Sequence, residues 1–332
     1  MMTQKFRAFL ARQATRISWP IRLLHGNLPK LDRLLKKELT PAQVNAVARG
    51  CREGGERFGA YYHWKFRQIA LLATMSTLDR DQAIALVTKN DHSDYRPIDG
   101  ALADSRGLLI TIPHHGFYLP GIIAMSERLQ AQRDVFVFYE SPENHDTNAI
   151  FDMIHERVFG NGISKVSILY NNRIGLVRAI RELRKGNVVF ILPDVAKRVQ
   201  DTYRMPFCGM QRDFMLGSAT IARRSNARLM PVVSQPGKAL FGFSNLFADI
   251  VEPCATDGTA EGDLHADYRT TLAVMRGLEP LMTHHLVFWQ YIHSYVAVEK
   301  EMEKVPTFDT ISTELLLKDP YLNLLSSSPI SV

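Results

Sequence analysis

Cysteine is scarce in this sequence: Cys51, Cys208 and Cys254 are the three in 332 residues. An odd, scattered set offers neither a disulfide framework nor a CxxC-type metal site, so a reducing, cytosolic compartment is expected. No apolar run approaches the roughly 18 residues needed to cross a bilayer, and no cleavable leader is visible, so any membrane contact is expected to be peripheral. A Walker loop, a GxGxxG after a strand and a GxSxG elbow are missing as well, and the reaction classes built on them lose weight. His155-Glu156 begins a zincin-like pattern, but Phe159 stands where the second histidine must be, one turn on, and His284, His285 and His293 lack ligand spacing. No metal or other cofactor is expected.

Charge is present, and it is uneven. The chain carries +6 overall, yet residues 1–37 hold nine basic side chains against one acid, Asp32, which leaves the remainder net negative. Phe6, Phe9, Leu10, Gln13 and Ile17 fall on one helical face, with Arg12 and Arg16 elsewhere on the wheel and Trp19-Pro20 ending the pattern. Such a basic amphipathic arm suits an anionic membrane surface, or equally a terminal helix packed on the body by one face. No nucleic-acid reader motif accompanies the charge, so nucleic acid is an unlikely partner. Hydrophobic content of 46% is ordinary for a protein with a sizeable core.

The pattern divides the chain into the arm (1–37), one α/β domain (38–305) and a C-terminal tail (306–332). Thr40-Pro41 carries a helix start that should run toward Gly50. Helices over 57–75 and 79–88 complete a helical N-terminal layer. The polar stretch 90–106, with Pro97 and Gly100, reads as a connector. From Gly107 strands and helices alternate: strands at 108–112, 134–139, 165–169, 188–192, 228–234 and near 240–251; helices at 117–130, 144–159, 173–185, 214–225 and 262–283. This alternation calls for a largely parallel mixed sheet flanked by helices.

Chemistry concentrates where the strand GLLITIP (107–113) runs into His114-His115-Gly116. Branched residues favour an extended buried strand, and Gly116 permits a sharp turn into the next helix. Both histidines therefore fall at a strand's carboxyl end, the rim where open α/β sheets bind ligands, and an imidazole there moves protons near neutral pH.

The block ITIPHHGFYLPG resembles the first motif of the lipid A biosynthesis acyltransferases, within the lysophospholipid acyltransferase superfamily. Further pieces follow in the family's order: Arg157-Val158-Phe159-Gly160, IRELRKG (180–186) before VVFILPD, Pro193-Asp194, Phe207-Cys208-Gly209, Gly217-Ser218-Ala219, Ala222-Arg223, Pro231-Val232 and the closing LVFWQYIH. The resemblance implies a glycerolphosphate-acyltransferase-like fold and transfer of an acyl group from a carrier thioester, on acyl carrier protein or coenzyme A, to a hydroxyl or amine of a lipid or small acceptor. It also implies a peripheral position on the cytoplasmic face of the inner membrane. His114 is then the general base, with His115 as a second candidate, and Arg173, Lys197, Arg198, Gly209 and Arg212 as candidate substrate contacts.

One position departs from the family. There a carboxylate lies five residues after the histidine, whereas here Leu119 follows His114 and Pro120 follows His115 at that spacing. An imidazole without an orienting carboxylate loses control of its tautomer and of its charged form. Three arrangements follow from sequence alone. A carboxylate at another strand end, Glu140 or Asp194, substitutes; or the histidines work without one on a more nucleophilic amine; or the site is silent and the chain is a lipid- or carrier-binding scaffold.

Overall fold

The computed structural model of the protein describes residues 57–140, 149–159, 166–194, 202–208, 210–283 and 285–291. The arm, the helix expected after Thr40 and the tail lie outside them, as do Cys51, His284, His293, Lys197, Arg198 and Gly209.

β1 (Leu108–Thr111) is buried at every position, as a strand covered on both faces must be. It lies between β4 (Val188–Ile191) and β7 (Arg228–Pro236) and runs parallel to both. With β2 (Val135–Tyr139), β3 (Val166–Tyr170) and β8 (Phe243–Phe247) these form one six-stranded sheet in the order β3-β2-β4-β1-β7-β8. Only β8 is antiparallel, joined to β7 by a short connection. Each fully buried Leu or Ile in such strands contributes about 1.5–3 kcal/mol, so β1 anchors the core through Leu108, Leu109 and Ile110, none of which retains exposed surface.

Helices cover the sheet. α1 (Arg57–Thr77) and α2 (Arg80–Lys89) form the N-terminal layer. α2 starts at a capping box: Asp79 accepts from the Gln82 N–H (2.8 Å), and the Gln82 side chain accepts from the Asp79 N–H (3.2 Å). The expected connector contains a short helix, α3 (Arg96–Leu102), because Pro97 falls in its first turn, where a missing N–H costs nothing. α4 (Tyr118–Leu129) follows β1, α5 (Ala149–Phe159) precedes β3, and α6 (Arg173–Arg184) links β3 to β4. Arg157 of α5 donates to the Ser76 carbonyl (3.0 Å) and to that of Leu78, tying α5 to the α1–α2 junction.

After β4 the structure departs from expectation. An antiparallel hairpin, β5 (Thr202–Phe207) with β6 (Met210–Met215), stands where no strand is expected, and it takes the first residues assigned to the next helix. α7 therefore begins at Gly217 and runs to Ser225. The turn residue Cys208 has φ 52, a conformation that sequence patterns associate with Gly or Asn, and its N–H donates to the Glu279 carboxylate (2.7 Å). α8 (Ala260–Thr283) packs against β7, and a 3-10 turn (Leu286–Phe288) carries the chain back to the end of β1. Among the described residues no helix is long and apolar enough to cross a membrane.

Candidate active site

The chain leaves β1 through Pro113 and turns at Gly116. Gly116 has φ +58, and a Cβ there would lie 2.0 Å from the Ser234 carbonyl oxygen, so only glycine fits. Its N–H donates to Phe288 O (2.9 Å), while Phe117 N–H donates to Ser234 O (3.1 Å). From α1, Trp64 Nε1–H donates to Gly116 O (3.2 Å). The turn is thus held by β7, α1 and the 3-10 segment together.

These bonds send the two adjacent histidines in opposite directions. His115 has no exposed surface and donates from Nε2 to the His285 carbonyl (2.8 Å). Burial pushes its pKa down to about 4, against the carbonyl contact, which favours the charged ring. A neutral ring sealed in the core does not open to solvent, so of the two candidate histidines only His114 reaches the surface at this turn.

His114 keeps 14% of its side chain exposed, and its Nδ1 lies 2.8 Å from Asp194 Oδ1. Asp194 follows β4, the immediate neighbour of β1, so the two strand ends place their side chains together. Its other oxygen accepts from the His114 backbone N–H (2.8 Å) and from Trp289 Nε1–H (2.6 Å). Three groups converge on a carboxyl that is only 2% exposed, and a carboxylate offers acceptors alone. Nδ1 must therefore carry the ring proton, which leaves Nε2 as the basic nitrogen. Of the two strand-end carboxylates considered from sequence, the structure brings Asp194 to the imidazole. Glu140 closes β2, which β4 separates from β1.

Three aromatic residues complete the surroundings, and sequence reasoning assigned none of them a role. Tyr118 and Tyr291 meet the His114 ring edge-on, at centroid distances of 4.9 and 5.0 Å. Burial, with the nearby Asp194 charge adding to it, raises both phenol pKa values above the usual range, so both hydroxyls keep their protons. Trp289 is 2% exposed and sits beneath the Arg212 guanidinium, 5.4 Å from the ring centroid. Gln290 N–H donates to His114 O (2.8 Å), so the segment 285–291 grips the His114–Gly116 turn from both sides. The only signal for this in sequence was LVFWQYIH, an apolar stretch with a lone indole donor.

The remaining candidates disperse. Arg212 belongs to the site's buried wall, whereas Arg173 is exposed at the start of α6, which follows the edge strand β3. Leu119, in the family's carboxylate position, is 1% exposed. With Gln68, Leu71, Leu72, Phe117, Tyr118 and Pro120 it lines a small, mostly apolar hollow of about 10 Å³, room for about one water. His155 stacks on Tyr139 at 3.9 Å. Among the described residues no three His, Cys, Asp or Glu side chains gather where a metal ion would bind.

A family model described as bacterial lipid A biosynthesis acyltransferase matches residues 73–276, more than half of the chain. The matched span includes His114 and Asp194 and ends before Trp289 and Tyr291. No curated protein matches the chain.

Proposed function

The chain belongs to the bacterial lipid A biosynthesis acyltransferase family, and from that premise we propose that His114 is the general base of an acyl transfer from a carrier thioester to a hydroxyl or amine acceptor. The observation that carries this reading is the His114–Asp194 pair, 2.8 Å apart at the ends of adjacent parallel strands, with the imidazole still partly open to solvent. His114 Nε2 takes the acceptor's proton as its oxygen or nitrogen attacks the thioester carbonyl carbon. The new C–O or C–N bond forms, the C–S bond breaks, and the proton held by the imidazolium passes to the leaving thiolate. Asp194 holds the productive tautomer and stabilises the imidazolium while it exists. No covalent acyl-enzyme is required.

Acyl carrier protein or acyl-coenzyme A is the donor in this reading, and a lipid or small molecule is the acceptor. The protein works peripherally on the cytoplasmic face of the inner membrane. The family membership supports acyl transfer in general, and the paired imidazole and carboxylate support base catalysis in particular. The test is mass spectrometry of acyl products formed from a mixture of acyl carriers and lipid extract, with His114→Ala as the control. A product made by the native protein and reduced by about 10²-fold or more in the variant supports the reading. Equal product from both removes His114 from the chemistry, and no product from either favours a lipid- or carrier-binding scaffold.

A further inference from the structure

Five large apolar side chains are markedly exposed among the described residues, and four of them fall within eight positions: Tyr170, Ile174, Leu176 and Val177. Ile174 is 80% exposed and Val177 is 62% exposed. Both stand on α6, whose opposite face is packed through Gly175, Ala179, Glu182 and Leu183. Exposed aliphatic residues one turn apart on a convex helix are unusual, since a soluble surface gains nothing from them. Basic residues surround them. From Arg173 to Lys185 the sequence holds Arg173, Arg178, Arg181, Arg184 and Lys185 against one acid, Glu182, which is buried and bonded to Arg181, Lys185 and Asn187.

We propose that this face of α6, with Tyr170 at the end of β3, docks the protein onto an anionic lipid surface. Ile174 and Val177 enter the acyl boundary, while Arg173, Arg178 and Arg181 extend to the headgroup phosphates on their long stems; Arg184 stays tied to the Arg224 carbonyl (2.7 Å). Charge decides the occupant. A second copy of this chain would set the same arginines against one another. The convex aliphatic tip needs no shape-matched pocket in a fluid bilayer, whereas a protein partner would have to supply one. Tyr170 lies at the carboxyl end of a parallel strand, the rim that also carries His114 and Asp194. β3 is three strand spacings from β1, about 14 Å across the sheet. Docking there turns the catalytic rim toward the membrane. The surface is built from residues other than 1–37 and is independent of the chemistry at His114.

Flotation of the full chain with vesicles tests it, comparing phosphatidylethanolamine–phosphatidylglycerol with phosphatidylcholine alone. The variants are Ile174→Asp/Val177→Asp and the milder Ile174→Ser/Val177→Ser, with thermal melts to check folding. The native protein should prefer the anionic vesicles and lose affinity as salt rises. The aspartate pair should bind at least ~10-fold more weakly, with the serine pair between, since each removes aliphatic burial from the boundary. His114→Ala should float like the native protein, which separates this proposal from the catalytic one. Folded Ile174/Val177 variants that float unchanged would overturn it, as would equal binding of the native protein to neutral vesicles. A loss confined to acyl carrier protein binding would also overturn it and assign the face to a protein partner.

Discussion

Replacing Asp194 by asparagine probes the site without emptying it. Two backbone-fixed or buried donors, the His114 N–H at 2.8 Å and Trp289 Nε1–H at 2.6 Å, share one Asp194 oxygen. The asparagine carbonyl must take that place, because the amide nitrogen would set donors against donors. The NH₂ group then occupies the other position, 2.8 Å from His114 Nδ1, and donates to it. An imidazole that accepts at Nδ1 carries its proton on Nε2, and a protonated Nε2 is no base. Restoring the productive tautomer opposes two N–H groups and forfeits a hydrogen bond, a cost of about 1.5–3 kcal/mol. At tenfold per 1.4 kcal/mol this alone slows the reaction by about 10- to 150-fold. Loss of the negative charge facing the imidazolium adds to it, for a total of about 10²- to 10⁴-fold in kcat. Stability should fall by only about 1 kcal/mol, since the two donors on the carbonyl keep an acceptor. Thioester consumption followed by mass spectrometry, with urea melts in parallel, reads both quantities. A folded Asp194→Asn protein whose rate lies within about threefold of native would refute the tautomer argument.

Other outcomes follow from the same geometry. Trp289→Phe removes one donor from Asp194 and should lower kcat by about 3- to 30-fold, but should add little to Asp194→Asn, because the two act through one carboxyl; additive losses in a double-mutant cycle would separate them. His115 titrates near 4 in the fold and near 6.5 in the unfolded chain, so its contribution is complete above pH 6.5 and is lost as pH falls toward 4. Urea unfolding at pH 7 and pH 5 should differ by about 2 kcal/mol more in the native protein than in His115→Gln. Leu119→Asp restores the family's acid at that position but buries a carboxylate in an apolar hollow. It should cost about 3 kcal/mol or more in chemical denaturation and should not rescue Asp194→Asn, whose Nδ1 contact comes from β4.

Local features were legible because they depend on near neighbours. The apolar run 108–112, the glycine at 116 and the helix expected from residue 79 each express backbone preferences that act within a few residues. The alternation of strands and helices likewise revealed a parallel sheet. Elements written in a weaker code were missed. The β5–β6 hairpin turns at Cys208, a residue with no left-handed preference, and α3 hides in a polar stretch between stronger signals.

What sequence alone determined was a histidine at a strand's carboxyl end and the absence of a carboxylate on its own helix. It left Glu140 and Asp194 as equal candidates, because strand order is set by long crossover connections and by burial of the whole sheet. Folding decided between them by seating β4 beside β1. It also turned His115 inward and brought Trp289 to Asp194 across 95 positions of chain. Hydrogen-bond partners so far apart in sequence are chosen by packing, and no local pattern encodes them.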